Sequence, residues 1–336
     1  MNPRLNIIAI LLFITACYKP GPEIEYFSIR NDWTTLPVEV SGNFNSNTLL
    51  IHLEAYNSSA YQEDIFEDLK NYYTFISFEF NRCFGLGNRC EKAEYTTQHV
   101  IDDINLLIKV LFERYGEDIN IFLFGRGIGA SLTLQYANEG KHKESVNGII
   151  ANNALISFED AAKAFKLKLI ELLNSKVDVD IVKLFLEEFE NMPIDDITSI
   201  EGFYDFLSND FFELWNDGLI KDINLFSGCD EFENYFAYNT IRNDYYRYIN
   251  FRDLFLDGDF DIEVDILENI SEIDVPVSLI WQKDALIVPL SVGEKIFELL
   301  ETPDKELHVF DDPCIPYFDE TGEYTQTVIE FIEKYK

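Results

Sequence analysis

The chain opens on an apolar leader and then alternates uninterrupted apolar runs with segments whose apolar residues recur at helical spacing. Thr48–Leu53 (TLLIHL), Thr74–Phe80 (TFISFEF), Ile119–Phe124 (INIFLF) and Val146–Ala151 are runs of strand length. Apolar character without alternation predicts strands covered on both faces, as in a parallel sheet between helices. Ile24–Arg30 and Val38–Val40 are shorter strand candidates ahead of them. Thr97–Tyr115 places Val100, Ile104, Ile108 and Leu111 on one helical face, and Gly116 stands where such a helix would stop. After Phe124 comes Gly125-Arg126-Gly127-Ile128-Gly129, then a predicted helix through Ala137. This rhythm predicts an α/β fold with a mostly parallel central sheet flanked by helices.

The rhythm breaks at Ser157. From there to Asp265 the pattern is helical, with amphipathic candidates at Phe158–Lys176, Val179–Met192, Ile200–Trp215 and the ring-rich Tyr235–Phe255. The sheet pattern resumes at Val275–Trp281, followed by a helix near Val292–Glu301, a strand at Glu306–Phe310 and a helix at Tyr324–Tyr335. Residues 157–270 therefore read as a helical lid inserted into an α/β core made of residues 24–156 and 271–336.

Residues 1–16 stand apart from this plan. Arg4 precedes Leu5–Ala16 (LNIIAILLFITA), an apolar stretch of signal-peptide length and too short to span a bilayer. It ends Ile14-Thr15-Ala16-Cys17, which resembles the lipobox of bacterial lipoproteins. That resemblance implies export, a lipid on Cys17, and anchoring to a membrane of a bacterial cell envelope. Residues 17–23, with two prolines and a glycine, suit a tether. Cys83, Cys90, Cys229 and Cys314 would then meet an oxidising compartment, where disulfides are allowed and their connectivity stays open.

Composition changes the picture through charge. Asp plus Glu number 61 and Lys plus Arg 26, a formal net charge of −35. Such a field repels phosphate backbones, which excludes nucleic acid as an expected partner. It favours a neutral or cationic ligand, a small molecule or a peptide. No His-x-x-x-His, Cys-x-x-Cys or EF-hand pattern occurs, so no metal and no cofactor is expected. The acidic run Asp257-Gly258-Asp259-Phe260-Asp261 reads as a solvated loop.

Three stretches, in order, resemble the α/β-hydrolase fold, most closely its lidded branch typified by prolyl aminopeptidases. Phe122–Ala137 resembles the strand, turn and helix around the nucleophile. Pro276–Pro289 resembles the strand and loop bearing the catalytic acid, and Leu307–Glu320 those bearing the catalytic histidine. Phe80–Arg89 is similar, in weakened form, to a further loop of that branch. The chemistry needs a nucleophile on a strained turn, a base, an acid to orient it and donors for the oxyanion.

The resemblance places these roles on particular residues, and several are vacated. Gly127 occupies the nucleophile position and has no side chain. Cys314 falls at the base position, and Asp284 retains the acid position. The oxyanion loop corresponds to His52-Leu53-Glu54, where only His52 matches and both expected glycines are gone. A carboxylate at Glu54 would oppose a developing oxyanion. Ser131, one turn into the helix after Gly127, reads as a packing residue. The expectation is a catalytically dead hydrolase homologue acting by binding. The alternatives are an active hydrolase, esterase- or aminopeptidase-like, with a non-standard nucleophile paired to His52, His99 or His308, and a structural envelope lipoprotein.

Overall fold

A computed structural model describes residues 24–30, 35–53, 68–78, 95–176, 197, 260–261, 264–267, 269–283, 285, 288–311 and 322–336. The predicted apolar runs become the centre of one sheet. Its strands are β1 (Glu25–Arg30), β2 (Thr35–Gly42), β3 (Thr48–Leu53), β4 (Thr74–Phe78), β6 (Asn120–Arg126), β7 (Val146–Asn152), β9 (Val277–Gln282) and β10 (Lys305–Phe310). They lie in the order β1-β2-β4-β3-β6-β7-β9-β10. β1 and β2 pair antiparallel, as do β2 and β4, and every neighbouring pair from β4 to β10 is parallel.

Among the described residues the longer helices beside the sheet are α1 (Thr97–Tyr115), α2 (Ile128–Glu139), α3 (Phe158–Lys176), α4 (Leu290–Leu299) and α5 (Glu323–Tyr335). Strand alternation sorts their contacts. Leu49 and Ile51 of β3, Ile121 and Leu123 of β6, and Leu279 and Trp281 of β9 share one cluster with Ile104 and Ile108 of α1, Leu132 of α2 and Ile296 of α4. Leu50, Phe122, Phe124, Ile150 and Ile280 point the other way, into a cluster with Tyr324, Val328 and Phe331 of α5. β3 and β9 are buried at every position, which is why their runs lack polar alternation. Each such fully buried aliphatic side chain contributes roughly 1.5–3 kcal/mol by leaving water.

Two short strands went unmarked by the hydrophobic pattern. β5 (Tyr95–Thr96) pairs in parallel with β8 (Phe260–Asp261), so part of the acidic run is strand and not loop. Two-residue strands are too short to carry a period. The chain leaves β7 and returns to the sheet through a clasp: Ser157 and Asp265 form an antiparallel bridge, and the Ile266 N–H donates to the Ile156 carbonyl at 3.0 Å. The helices expected at Val179–Met192, Ile200–Trp215 and Tyr235–Phe255 lie outside the described residues. Among the described residues no helix is long and apolar enough to cross a membrane.

Candidate functional site

Sheet topology selects the place to look. The chain runs from β3 outward to β4 and then crosses back to β6 on the other side of β3. In open α/β sheets a crevice opens at the carboxyl ends of the strands where the order reverses in this way. Those ends are Leu53 of β3, in register with Gly125 of β6, and Arg126, in register with Asn152 of β7. The next residue is Gly127.

Gly127 forms the turn between β6 and α2, at φ 53° and ψ −121°. Its N–H donates to the Asn152 carbonyl at 2.9 Å, and its own carbonyl accepts the Ser131 N–H at 3.2 Å. Positive φ disfavours any residue with a Cβ, so glycine relaxes the turn. Among the described residues, a Cβ added at Gly127 would meet no atom within 4 Å. Gly125 differs, because a Cβ there would lie 2.4 Å from the Gly129 carbonyl oxygen and 2.5 Å from the Ala130 nitrogen. Gly125 therefore lets α2 pack tightly onto the end of β6. The turn at Gly127 thus joins β6 tightly to α2 with no side chain at its tip.

Ser131 lies one turn into α2. The residue is fully buried. Its hydroxyl accepts the Leu155 N–H at 2.8 Å and has the Leu155 and Gly127 carbonyls at 2.9 and 3.2 Å to take its proton. These bonds clamp α2 to the segment after β7, which is the packing role expected of it.

All four histidines are described, and each is held in its own structural setting. His52 is 2% exposed, with the rings of Phe75 and Phe124 at 5.9 and 5.3 Å. Burial, reinforced by the positive charges of Arg126 and Lys70, pushes its pKa down to about 3, so the ring is neutral at ordinary pH. His99 closes a capping box at the start of α1. Its Nδ1 accepts the Thr96 N–H at 3.2 Å and lies 2.9 Å from the Thr96 hydroxyl, while that hydroxyl accepts the N–H of residue 99. His142 sits in the turn after α2, at the amino edge of the sheet. His308 is on the outermost strand β10, with its Nε2 3.2 Å from Glu306 Oε2.

The structure therefore brings Gly127 together with His52 and Leu53 at the carboxyl edge. Glu54, Asp284, Cys314 and Cys17 lie outside the described residues, as do Cys83, Cys90 and Cys229. Residues not singled out from sequence also gather at this edge. Arg126 precedes the elbow. Asn153, just past β7, donates through Nδ2 to Gln282 Oε1 at the end of β9. Asn152 donates to the Tyr324 hydroxyl at 3.4 Å. The Asn152-Asn153 pair at a strand end was the available signal, since asparagine tolerates left-handed backbone. A separate groove of about 360 Å³ runs between α3 and α4, floored by Ile156, Ala164 and Val292 and spanned by the Asp160–Lys295 ion pair at 3.1 Å. None of the groove's lining belongs to the elbow or to the β3 end. Among the described residues no group of three or more His, Cys, Asp or Glu side chains is arranged to hold a metal ion.

Solved structures of similar arrangement include an esterase from Pyrococcus furiosus, with a TM-score of 0.56, 17% identity, and coverage of 94% of this chain and 92% of the esterase. An α/β fold family hydrolase from Bacillus anthracis gives a TM-score of 0.54 at 17% identity, covering 92% and 99% of the two chains. A soluble variant of monoglyceride lipase from Saccharomyces cerevisiae, in complex with a substrate analog, gives 0.50 at 18% identity, covering 95% and 96%. No family model matches the sequence, and no curated protein matches it. The structural likeness shows that the fold is that of the α/β hydrolases.

Proposed function

Starting from an α/β-hydrolase fold with a glycine at the nucleophile elbow, we propose that this protein has given up serine-hydrolase chemistry and binds a ligand at the carboxyl edge of its sheet. The observation that carries the reading is Gly127. It holds the strained turn at φ 53° and carries no side chain, with no described residue within 4 Å of where a Cβ would stand. The histidines support it: His52 is sealed in the core, His99 is spent on a helix cap, and His308 lies on the sheet's far edge. A hydrolase lacking nucleophile and base loses roughly six powers of ten in rate. We further propose that the chain is exported and anchored through a lipid on Cys17, on the strength of the leader and the Ile14-Thr15-Ala16-Cys17 sequence.

A fluorophosphonate probe and p-nitrophenyl acetate test the first part. The expected result is no labelling and no turnover above buffer, in the native chain and in Ser131→Ala alike. Covalent labelling of the native chain, with turnover, overturns the inert reading. Metabolic labelling with a palmitate analogue tests the second part: incorporation is expected in the native chain and is lost in Cys17→Ala.

A further inference from the structure

Resting on that binding reading, we infer that Asn153 is a ligand-contacting residue whose side-chain carbonyl receives a neutral N–H or O–H donor at the carboxyl edge of the sheet. Three observations converge on it. Asn153 borders the elbow, because Asn152 before it takes the Gly127 N–H at 2.9 Å. Its φ is 49°, the sole positive value at a non-glycine position among the described residues. Its side-chain oxygen is shielded from solvent, yet accepts no hydrogen bond from any described residue.

The rest of the residue is firmly held. Its backbone N–H donates to the Ile280 carbonyl at 3.0 Å, and its Nδ2 donates to Gln282 Oε1. The side-chain amide is thus fixed by its nitrogen, with the oxygen left over. A glycine would make the same left-handed turn at lower cost, so the turn alone does not account for a side chain here. A shielded carbonyl without a donor is disfavoured, and a ligand group that supplies one removes the penalty. The residue as a whole is intermediate in exposure, while its neighbour Asn152 is buried.

Local charge narrows the ligand. The whole chain, at −35, favours neutral or cationic partners. Asn153 Oδ1 is itself an uncharged acceptor, which pairs with a neutral N–H or O–H without desolvating a cation. An amide or hydroxyl donor meets both conditions.

The test titrates the full mature chain with N-acetylalaninamide and with its N,N-dimethylamide, which lacks the terminal N–H donors, following the Asn153 side-chain amide by nitrogen-15 NMR. Saturable shifts at Asn153 are expected for the first probe, with the dimethylamide about tenfold weaker or more, the effect of one hydrogen bond. Asn153→Gly, which keeps the turn and removes both the carbonyl and the Nδ2 bond to Gln282, is expected to lose affinity about tenfold, with its thermal midpoint measured alongside to establish that it is folded. Asn153→Asp keeps an acceptor but loses the Nδ2 donor to Gln282, so it is expected to bind more weakly than the native chain and more tightly than Asn153→Gly. Equal binding by native chain and Asn153→Gly overturns the inference, as does the absence of saturable shifts at Asn153. Hydrolysis of the probe would instead overturn the inert reading, and is scored separately by the appearance of free N-acetylalanine.

Discussion

His52 sits in the sheet as a neutral ring, and that sets how the fold responds to acid. Its pKa is about 3 in the folded chain and near the ordinary 6.5 when unfolded, because burial and the charges of Arg126 and Lys70 disfavour the cation. The unfolded chain therefore binds the proton more tightly. Stability from this group is undiminished above pH 6.5 and is lost as pH falls from 6.5 toward 3. At pH 5 the loss is about 2 kcal/mol, at roughly 1.4 kcal/mol per unit. His52→Phe should flatten this part of the acid slope, read as the difference in urea midpoint between pH 7 and pH 5. Equal slopes in the two proteins would remove His52 from the account. The two elbow glycines make a second residue-scale prediction. Gly127→Ala adds a Cβ that meets no described residue within 4 Å but keeps an unfavourable φ, so it should cost about 1–2 kcal/mol. Gly125→Ala forces a Cβ to 2.4 Å from a backbone oxygen and should cost about 3 kcal/mol, or prevent folding. Denaturant midpoints that reverse this order would contradict the packing described for the elbow.

Elements are held at the elbow by side chains as much as by backbone. Ser131→Ala strips the Leu155 N–H of its acceptor inside the core and should cost about 1–3 kcal/mol. Hydrogen exchange at the Leu155 amide should speed up as well, while exchange in the middle of β6 should follow only the global change. An unchanged Leu155 amide would mean that the hydroxyl does not clamp α2 to the segment after β7. At this scale much was legible from the sequence. β3, β6, β7 and β9 announce themselves because both their faces are covered, and α1 and α3 begin and end where their apolar spacing does. β2 was under-read at Val38–Val40 against Thr35–Gly42, because Thr35, Pro37, Glu39 and Ser41 dilute its pattern. The β5–β8 pair was invisible, since it exists only through a contact between distant segments. At the site, Gly127 was legible because a strand leads into glycines at fixed spacing. The enclosure of His52 by Phe75 and Phe124 was not, since one polar residue in a strand covered on both faces does not say which rings will close over it. Nor was Asn153, whose backbone angle is set by Ile280 and Gln282 on another strand.

Over the whole molecule, charge outweighs individual pairs. With 61 acidic and 26 basic side chains, 35 carboxylates are left over even if every cation were paired. The ion pairs described, such as Lys283–Asp311 at 2.7 Å and Lys295–Asp160 at 3.1 Å, involve partly or largely exposed side chains, where a pair contributes about 0–1 kcal/mol. Repulsion among the excess carboxylates acts over the entire surface and weakens as the screening length shrinks from about 30 Å at 0.01 M salt to about 8 Å at physiological strength. The two effects carry opposite signs on adding salt: screening weakens the pairs and relieves the repulsion. The excess decides the balance. Raising sodium chloride from about 10 to 150 mM at pH 7 should therefore raise the thermal midpoint, by about 2–4 °C for each kcal/mol of repulsion relieved. The gain should shrink near pH 4.3, where the sequence is close to neutral and His52 protonation opposes the fold independently. Scanning calorimetry at the two salt concentrations, at both pH values, separates the contributions. A midpoint that fell with salt at pH 7 would mean that favourable pairs, not self-repulsion, govern the surface of this protein.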